Sequence, residues 1–275
     1  RIKKRKLRKA IKSKINSFPV WVHLWVTDKC NEVCSYCHAK NNNTYDPSFA
    51  DIKHRIDHVN ELGAAGIALM GGEPTLRDDL SDLILHADSQ DLITFLTTNG
   101  KLLTRERIFE YAASGLDVLE LSLDGYGALE CSNKTVDKLG DIIDYLREAR
   151  RIYRMGLKFH QVLTPETIVE TEKLFKFAKS VKIPISYGIA KETFTRDNYS
   201  NNNYPHNTLN YLKERAGLFS IITNPKTYFD SGSFYFHNWE VCDVGRHTLA
   251  VASNGKVYLC SANPILTKTD FLDVN

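Results

Sequence analysis

Strand-like and helix-like segments alternate along most of this chain, and that alternation limits the folds open to it more than any other feature. Apolar runs at 20–27, 67–70, 92–98, 117–123, 157–163 and 183–189 read as strands. Segments of helical periodicity at 47–62, 77–88, 104–114, 135–153 and 165–181 fall between them, and a sixth is expected at 208–218. Strands separated by helices predict a parallel sheet with right-handed crossovers, an α/β fold. The run 117–124 adds a detail. Glu120, Ser122 and Asp124 alternate with Leu119, Leu121 and Leu123. A strand buried on both faces would be apolar on both, so this alternation predicts a polar inner face enclosed by an outer layer of helices. Six units are too few for a closed eight-unit barrel. A smaller barrel or half-barrel is expected.

The composition of the 275 residues, 43% hydrophobic and 25% charged, is that of a globular domain. No apolar run approaches the roughly 18–20 residues of a membrane span, and no secretory leader is visible. A reducing, cytoplasmic setting is expected. Six cysteines could be three disulfides, but three of them crowd into eight residues, a spacing suited to a metal centre. Those three, Cys30, Cys34 and Cys37, form a C-x3-C-x2-C run in the loop after the first strand. Soft thiolates on a short loop suit an iron–sulfur cluster, and with no fourth cysteine nearby one iron would stay open. Zinc is the alternative. It would want four closed ligands, and His38, directly after Cys37, is badly placed for the same tetrahedron.

After the second strand stands Met70-Gly71-Gly72-Glu73-Pro74, whose glycines allow close backbone approach and whose carboxylate can accept from an ammonium group. The C-x3-C-x2-C run with Tyr36 before its last cysteine, followed by GGEP in this order, resembles the signature of the radical S-adenosylmethionine (SAM) superfamily. The resemblance implies a partial (β/α)6 barrel and a 4Fe–4S cluster on Cys30, Cys34 and Cys37, with SAM on the open iron. It further implies that Gly71, Gly72 and Glu73 bind the amino group of SAM. Thr97-Thr98-Asn99-Gly100 and Ser122-Leu123-Asp124-Gly125 resemble further elements of the family; Ser122 and Asp124, with Tyr36, are expected to bind the cofactor. On the fifth strand, either Lys158 and His160 or Gln161 points inward.

Cys242-x12-Gly255-x4-Cys260, with Ser253-Asn254-Gly255 as a hairpin turn, resembles the opening of the SPASM/twitch extension of radical SAM proteins. In that extension the two cysteines ligate an auxiliary 4Fe–4S cluster. Residues 261–275 hold no further cysteine, so a truncated end, completion by Asp243, His247 or Cys131, or loss of the cluster stay open. Cys131 could also donate a hydrogen atom to a substrate radical, or be an inert buried thiol. The divisions expected are a basic lead-in (1–17), the partial barrel (18–195) and the SPASM/twitch-like region (196–275), with the polar run 198–203 as linker.

Nine of the 36 basic residues fall in the first 14 positions with no acidic one, which leaves 27 against 33 acidic residues elsewhere. This segment could be a cationic amphipathic helix on an anionic membrane surface or a lead-in helix capping the domain. Nucleic acid is not expected as a partner. The resemblance implies an enzyme that cleaves SAM reductively to a 5′-deoxyadenosyl radical and takes its electron from a flavodoxin- or ferredoxin-type donor. A small or lipid-linked metabolite is the expected substrate. A peptide-modifying SPASM enzyme and a non-catalytic iron–sulfur or zinc protein are the alternatives.

Overall fold

The computed structural model describes residues 4–16, 20–37, 45–189, 206–215, 248–260 and 263–273. Helix α1 (Lys4–Asn16) precedes five alternating units: β1 (Trp21–Thr27), α2 (Phe49–Glu61), β2 (Gly66–Gly71), α3 (Leu80–Ser89), β3 (Ile93–Thr98), α4 (Arg105–Ala113), β4 (Val118–Ser122), α5 (Ile142–Tyr153), β5 (Gly156–Leu163) and α6 (Thr171–Val181). Then follow β6 (Ile185–Ile189), α7 (His206–Arg215), β7 (Thr248–Val251), β8 (Lys256–Cys260) and β9 (Asn263–Asp270). The first six strands pair in parallel in the order β6-β5-β4-β3-β2-β1. This is the expected α/β sheet.

Local chemistry explains the element ends. Ser48 opens α2 with a capping box, its side chain accepting from Asp51 N while Asp51 returns to the Ser48 backbone. Thr104 caps α4 by accepting from the Arg107 amide. Two long helices expected from periodicity are shorter. The segment 135–153 breaks at Gly140, whose φ of +51° no helix carries, and α5 starts only at Ile142. The segment 165–181 begins with a 3-10 turn, and α6 starts at Thr171.

The strands are two-faced. Val22, Leu24 and Val26 of β1, Leu96 of β3 and Leu157, Phe159 and Leu163 of β5 are buried against the helices. Each such aliphatic side chain is worth roughly 1.5–3 kcal/mol. The alternate residues, Trp21, His23 and Trp25, then Phe95 and Thr97, then Lys158, His160 and Val162, stay partly exposed on the inner face. Gln161 faces outward and is fully buried, donating to Asp124 O (3.0 Å) and Thr167 O (2.9 Å) and accepting from Thr171 Oγ1. Lys158 and His160 are therefore the inward pair on β5.

Two arrangements join segments distant in the sequence. First, β7 joins the main sheet, parallel to β1 with Trp21 opposite Thr248, and β8 and β9 continue it antiparallel. The β7–β8 turn is pinned beside the cysteine loop, where Ser253 Oγ donates to Asp28 (2.6 Å) and Arg55 donates to Ser253 O (2.7 Å). Second, α1 closes the end of the sheet at which the strands begin. Lys6 is fully buried there, its ammonium paired with Asp88 (2.8 Å) and Asp117. Arg5 pairs with Asp91, and Lys9 reaches Asn60 and Gln90 O. The lead-in helix caps the domain.

Candidate active site

The cysteine loop leaves the C-terminal end of β1, where the parallel strands present their mouth. Its approach to GGEP is set by backbone contact. Gly72 N donates to Thr27 O (2.8 Å) and Glu73 N to Lys29 O (2.8 Å). A Cβ on Gly72 would stand 2.1 Å from Lys29 O, and one on Gly71, at φ +141°, 2.2 Å from Thr27 O. The glycines thus admit the cysteine loop itself, one residue before Cys30.

The Glu73 carboxylate is buried at the join. Oε1 accepts from Thr75 N (3.0 Å), Thr75 Oγ1 (2.5 Å) and Thr98 Oγ1 (2.7 Å), and Oε2 accepts from Asn99 N (2.7 Å). Each carboxylate oxygen has about two lone-pair directions, so Oε2, with a single donor, keeps one for a further donor. Thr98 and Asn99 hold Glu73 in place, and Asn99 Nδ2 also donates to Asn31 Oδ1 in the cysteine loop (2.7 Å).

On the other side, the segment after β4 grips the same loop. Ser35 N donates to Cys131 O (3.1 Å), and Cys34 Sγ lies 3.7 Å from Ser132 Oγ. Asp124 is fully buried and accepts from Tyr36 OH, Ser132 Oγ (2.6 Å), Lys134 Nζ (3.0 Å) and Val162 N (3.3 Å). Burial, Asp124 and Cys34 together push the Tyr36 phenol far up, so it stays a donor. Ser122, by contrast, is half-buried on the inner face, and its hydroxyl has no partner among the described residues. Lys134, which nothing in the sequence singled out, stands within 5.2 Å of the Tyr36 ring centre and within electrostatic reach of Cys34 and Cys37. Burial pulls its pKa down, but Asp124 and the thiols outweigh this and raise it.

The three thiols gather without closing, for among the described residues no trio of His, Cys, Asp or Glu stands in metal-ligand geometry. Burial pushes the Cys30 thiol up, with Glu73, Cys37 and Cys34 adding to the rise. Three thiolates that repel one another are relieved by a cationic centre, and soft sulfur donors on a loop with one side open fit a 4Fe–4S cluster. The Cys131 thiol is buried and pushed up by burial, Asp124 and Glu166, which keeps it protonated. Cys242, Asp243, His247, His38 and the linker 198–203 lie outside the described residues. For Cys260 the backbone alone is described, at the end of β8 two residues past Tyr258, which pairs with Ala250.

Deeper in the sheet the inner face carries a polar cluster. Glu120 pairs with Lys158 (2.7 Å) and accepts from Thr97 Oγ1 (3.2 Å); His160 Nδ1 meets Ser186 Oγ (2.8 Å), and His23 Nδ1 lies 3.2 Å from Met70 Sδ. Burial lowers the pKa of both histidines. Burial raises that of Glu120, but His160 and Lys158 outweigh it and bring the carboxyl below its usual range. The sign for stability follows. An unfolded chain takes up protons on both histidines as pH falls through the ordinary imidazole range, while the folded chain holds them neutral. Stability should therefore fall across that range, and fall again in more acid solution as Glu120 protonates. Chemical denaturation at a series of pH values measures it, and His160→Gln should flatten the first step.

Comparison with known proteins agrees with this geometry. The model of the radical SAM superfamily matches residues 26–178. The PqqA peptide cyclase of Bradyrhizobium diazoefficiens is 37% identical over 112 residues, 39% of this chain and 29% of that protein. A probable GTP 3′,8-cyclase of Sulfolobus acidocaldarius is 28% identical over 184 residues, 63% of this chain and 58% of the relative. The chain thus spans less than two thirds of either relative. Among solved structures, SuiB of Streptococcus suis bound to S-adenosylmethionine superposes with a TM-score of 0.69 at 16% identity, covering 98% of this chain and 68% of that one. For anSMEcpe with bound AdoMet the TM-score is 0.64 at 18% identity, over 92% and 78%. These two show the fold, the partial barrel of SPASM-type enzymes. The chain belongs to the radical SAM superfamily, whose cofactors are a 4Fe–4S cluster and S-adenosylmethionine.

Proposed function

We propose that this enzyme abstracts hydrogen from a small metabolite, or from the polar head of a lipid-linked one, lying against the inner face of the sheet. One observation carries the reading: the half-exposed inner face, with Glu120, Lys158, His23 and His160 below and Ser122 at the mouth, offers a polar bed beside the cysteine loop. When bound, the cluster and S-adenosylmethionine supply a 5′-deoxyadenosyl radical able to attack an unactivated C–H bond. The chain's residues bind and orient. Cys30, Cys34 and Cys37 hold the metal, the free direction of Glu73 Oε2 receives the amino group of SAM, and the Ser122 hydroxyl serves the ribose or carboxylate. Tyr36 and Asp124 hold the loop in register, and Cys131 keeps a protonated thiol beside it.

Glu73→Ala should weaken SAM binding by about 1.5–3 kcal/mol, the scale of a hydrogen bond to a charged group, while the cluster's absorbance is kept. Isothermal titration with SAM reads the first and visible spectroscopy the second. Unchanged affinity would remove Glu73 from the binding site.

Peptide modification is the second reading, favoured by the name of the PqqA peptide cyclase relative. An isotope experiment separates the two. The reconstituted enzyme is given SAM, dithionite and extract of deuterium-grown cells, split into small-molecule and peptide fractions. Deuterium should enter 5′-deoxyadenosine from the small-molecule fraction. Label arriving only from the peptide fraction would reverse the assignment, and no 5′-deoxyadenosine at all would return the chain to a non-catalytic binder.

A further inference from the structure

The end of the sheet opposite the cysteine loop presents cations interleaved with exposed aliphatic side chains. Helix α1 lies across that end with Lys6 and Lys9 turned inward onto Asp88, Asp117 and Asn60. Its outer side carries Leu7 and Ile11, 53% and 55% exposed, one turn apart. Lys4, Arg8 and Lys12 run beside them, also exposed, and form no ion pair among the described residues. A second element reaches the same end. Gly156 N, just after α5, donates to Asp117 O (2.7 Å), the residue that Lys6 also engages. Around it stand exposed Arg150, Arg151 and Arg154 with Ile152 (51% exposed) and Tyr153 (41%), and Arg150 reaches Lys182 O at the end of α6. Of the acidic side chains that α1 reaches, Asp88, Asp91 and Asp117 are paired with Arg5 and Lys6; Glu61, beside Asn60, is exposed and meets His58.

We propose that this underside is a docking surface for an anionic lipid bilayer. Cations alone would suit any polyanion. The exposed Leu7, Ile11, Ile152 and Tyr153 decide the matter, because aliphatic and aromatic side chains between basic ones gain by entering a lipid interface and gain nothing from a phosphate backbone. The cations of α5 and α6 also suit their own helix C-termini, but α1 carries its basic and apolar residues along the exposed side from Lys4 to Lys12. The sheet is about 20 Å deep at 3.3 Å per residue, so the mouth would face away from the bilayer, open to water. This proposal is independent of the substrate reading above.

The test is flotation of the full, reconstituted chain with vesicles of phosphatidylglycerol and phosphatidylcholine in equal parts, against pure phosphatidylcholine. Binding should appear only on the anionic vesicles and fade as salt rises. Arg8→Glu combined with Lys12→Glu should weaken it about tenfold or more. Leu7→Asn with Ile11→Asn should weaken it in high salt as well as low, which a purely electrostatic contact would not. These side chains are exposed, so neither the melting transition nor SAM cleavage in the absence of vesicles should change. Absence of binding at low salt, equal binding to neutral vesicles, or a double-stranded DNA oligomer that displaces the vesicles would each overturn the proposal.

Discussion

Replacing Cys30, Cys34 and Cys37 together by alanine is expected to abolish SAM cleavage outright, with no 5′-deoxyadenosine above the background of the dithionite control. The fold should survive. The three residues lie in a loop at the mouth, and of the three only Cys34 is buried, so no core layer loses its packing. The loop keeps its other ties: Gly72 to Thr27, Glu73 to Lys29, Ser35 to Cys131 and Tyr36 to Asp124. Circular dichroism and the melting transition should therefore match the wild type while the chemistry is gone. Iron and sulfide analysis of the same variant has a second use. Close to four irons remaining per chain would report a further cluster at Cys242 and Cys260; essentially none would assign all the iron to the first loop. Residual SAM cleavage would remove the three cysteines from the site.

The second large effect is expected at Asp124. Asp124→Ala strips a buried carboxylate from three side-chain donors and one amide at once, and it strands the Lys134 ammonium in a buried setting. Breaking one side of a buried ion pair costs about 3–5 kcal/mol. Urea denaturation followed by circular dichroism should show that loss as a lower midpoint. Asp124→Asn, which keeps the shape and part of the hydrogen bonding, should cost less. A double variant provides the internal check. Adding Lys134→Met to Asp124→Ala removes the stranded charge and should recover part of the lost stability, a coupling that two independent sites would not show. The same single variant should also loosen the cysteine loop, since Tyr36 and Ser132 lose the acceptor that fixes them beside Cys34. Faster amide exchange at Ser35–Cys37 than in wild type would register this. An unchanged midpoint would mean that the carboxylate is not the buried hub described above.

What the sequence determined by itself is the part encoded locally. Periodicity placed the first six strands to within two or three residues, because a strand buried on one face must alternate and a helix must repeat every three to four residues. The Thr104 cap is local in the same way, its partner Arg107 lying one turn away. The thiol run is also local, with its soft donors and its spacing lying within eight residues. The alternation of Glu120 and Ser122 with Leu119 and Leu121 announced a polar inner face, and Glu120 does pair across that face with Lys158.

The tertiary structure decided everything that depends on partners distant in the chain. Lys6 and Asp117 lie 111 residues apart, Asn99 and Asn31 68, and Tyr36 and Asp124 88. No periodic pattern names such a partner, because a side chain's charge is visible in the sequence while its neighbour's position is not. Asp124 shows the consequence. The strand pattern marked it as inward and polar, but only the return of the chain through Ser132 and Lys134 buries it and makes it the hub that holds the loop. Gly71 and Gly72 show it again, since a glycine pair states that something comes close, and only the tertiary structure shows that the backbone of Thr27 and Lys29 does so. The joining of β7 to the edge of β1 is of the same kind. An unpaired edge demands hydrogen-bond partners, but which segment supplies them is settled by the long connections between elements and not by the alternation within either strand.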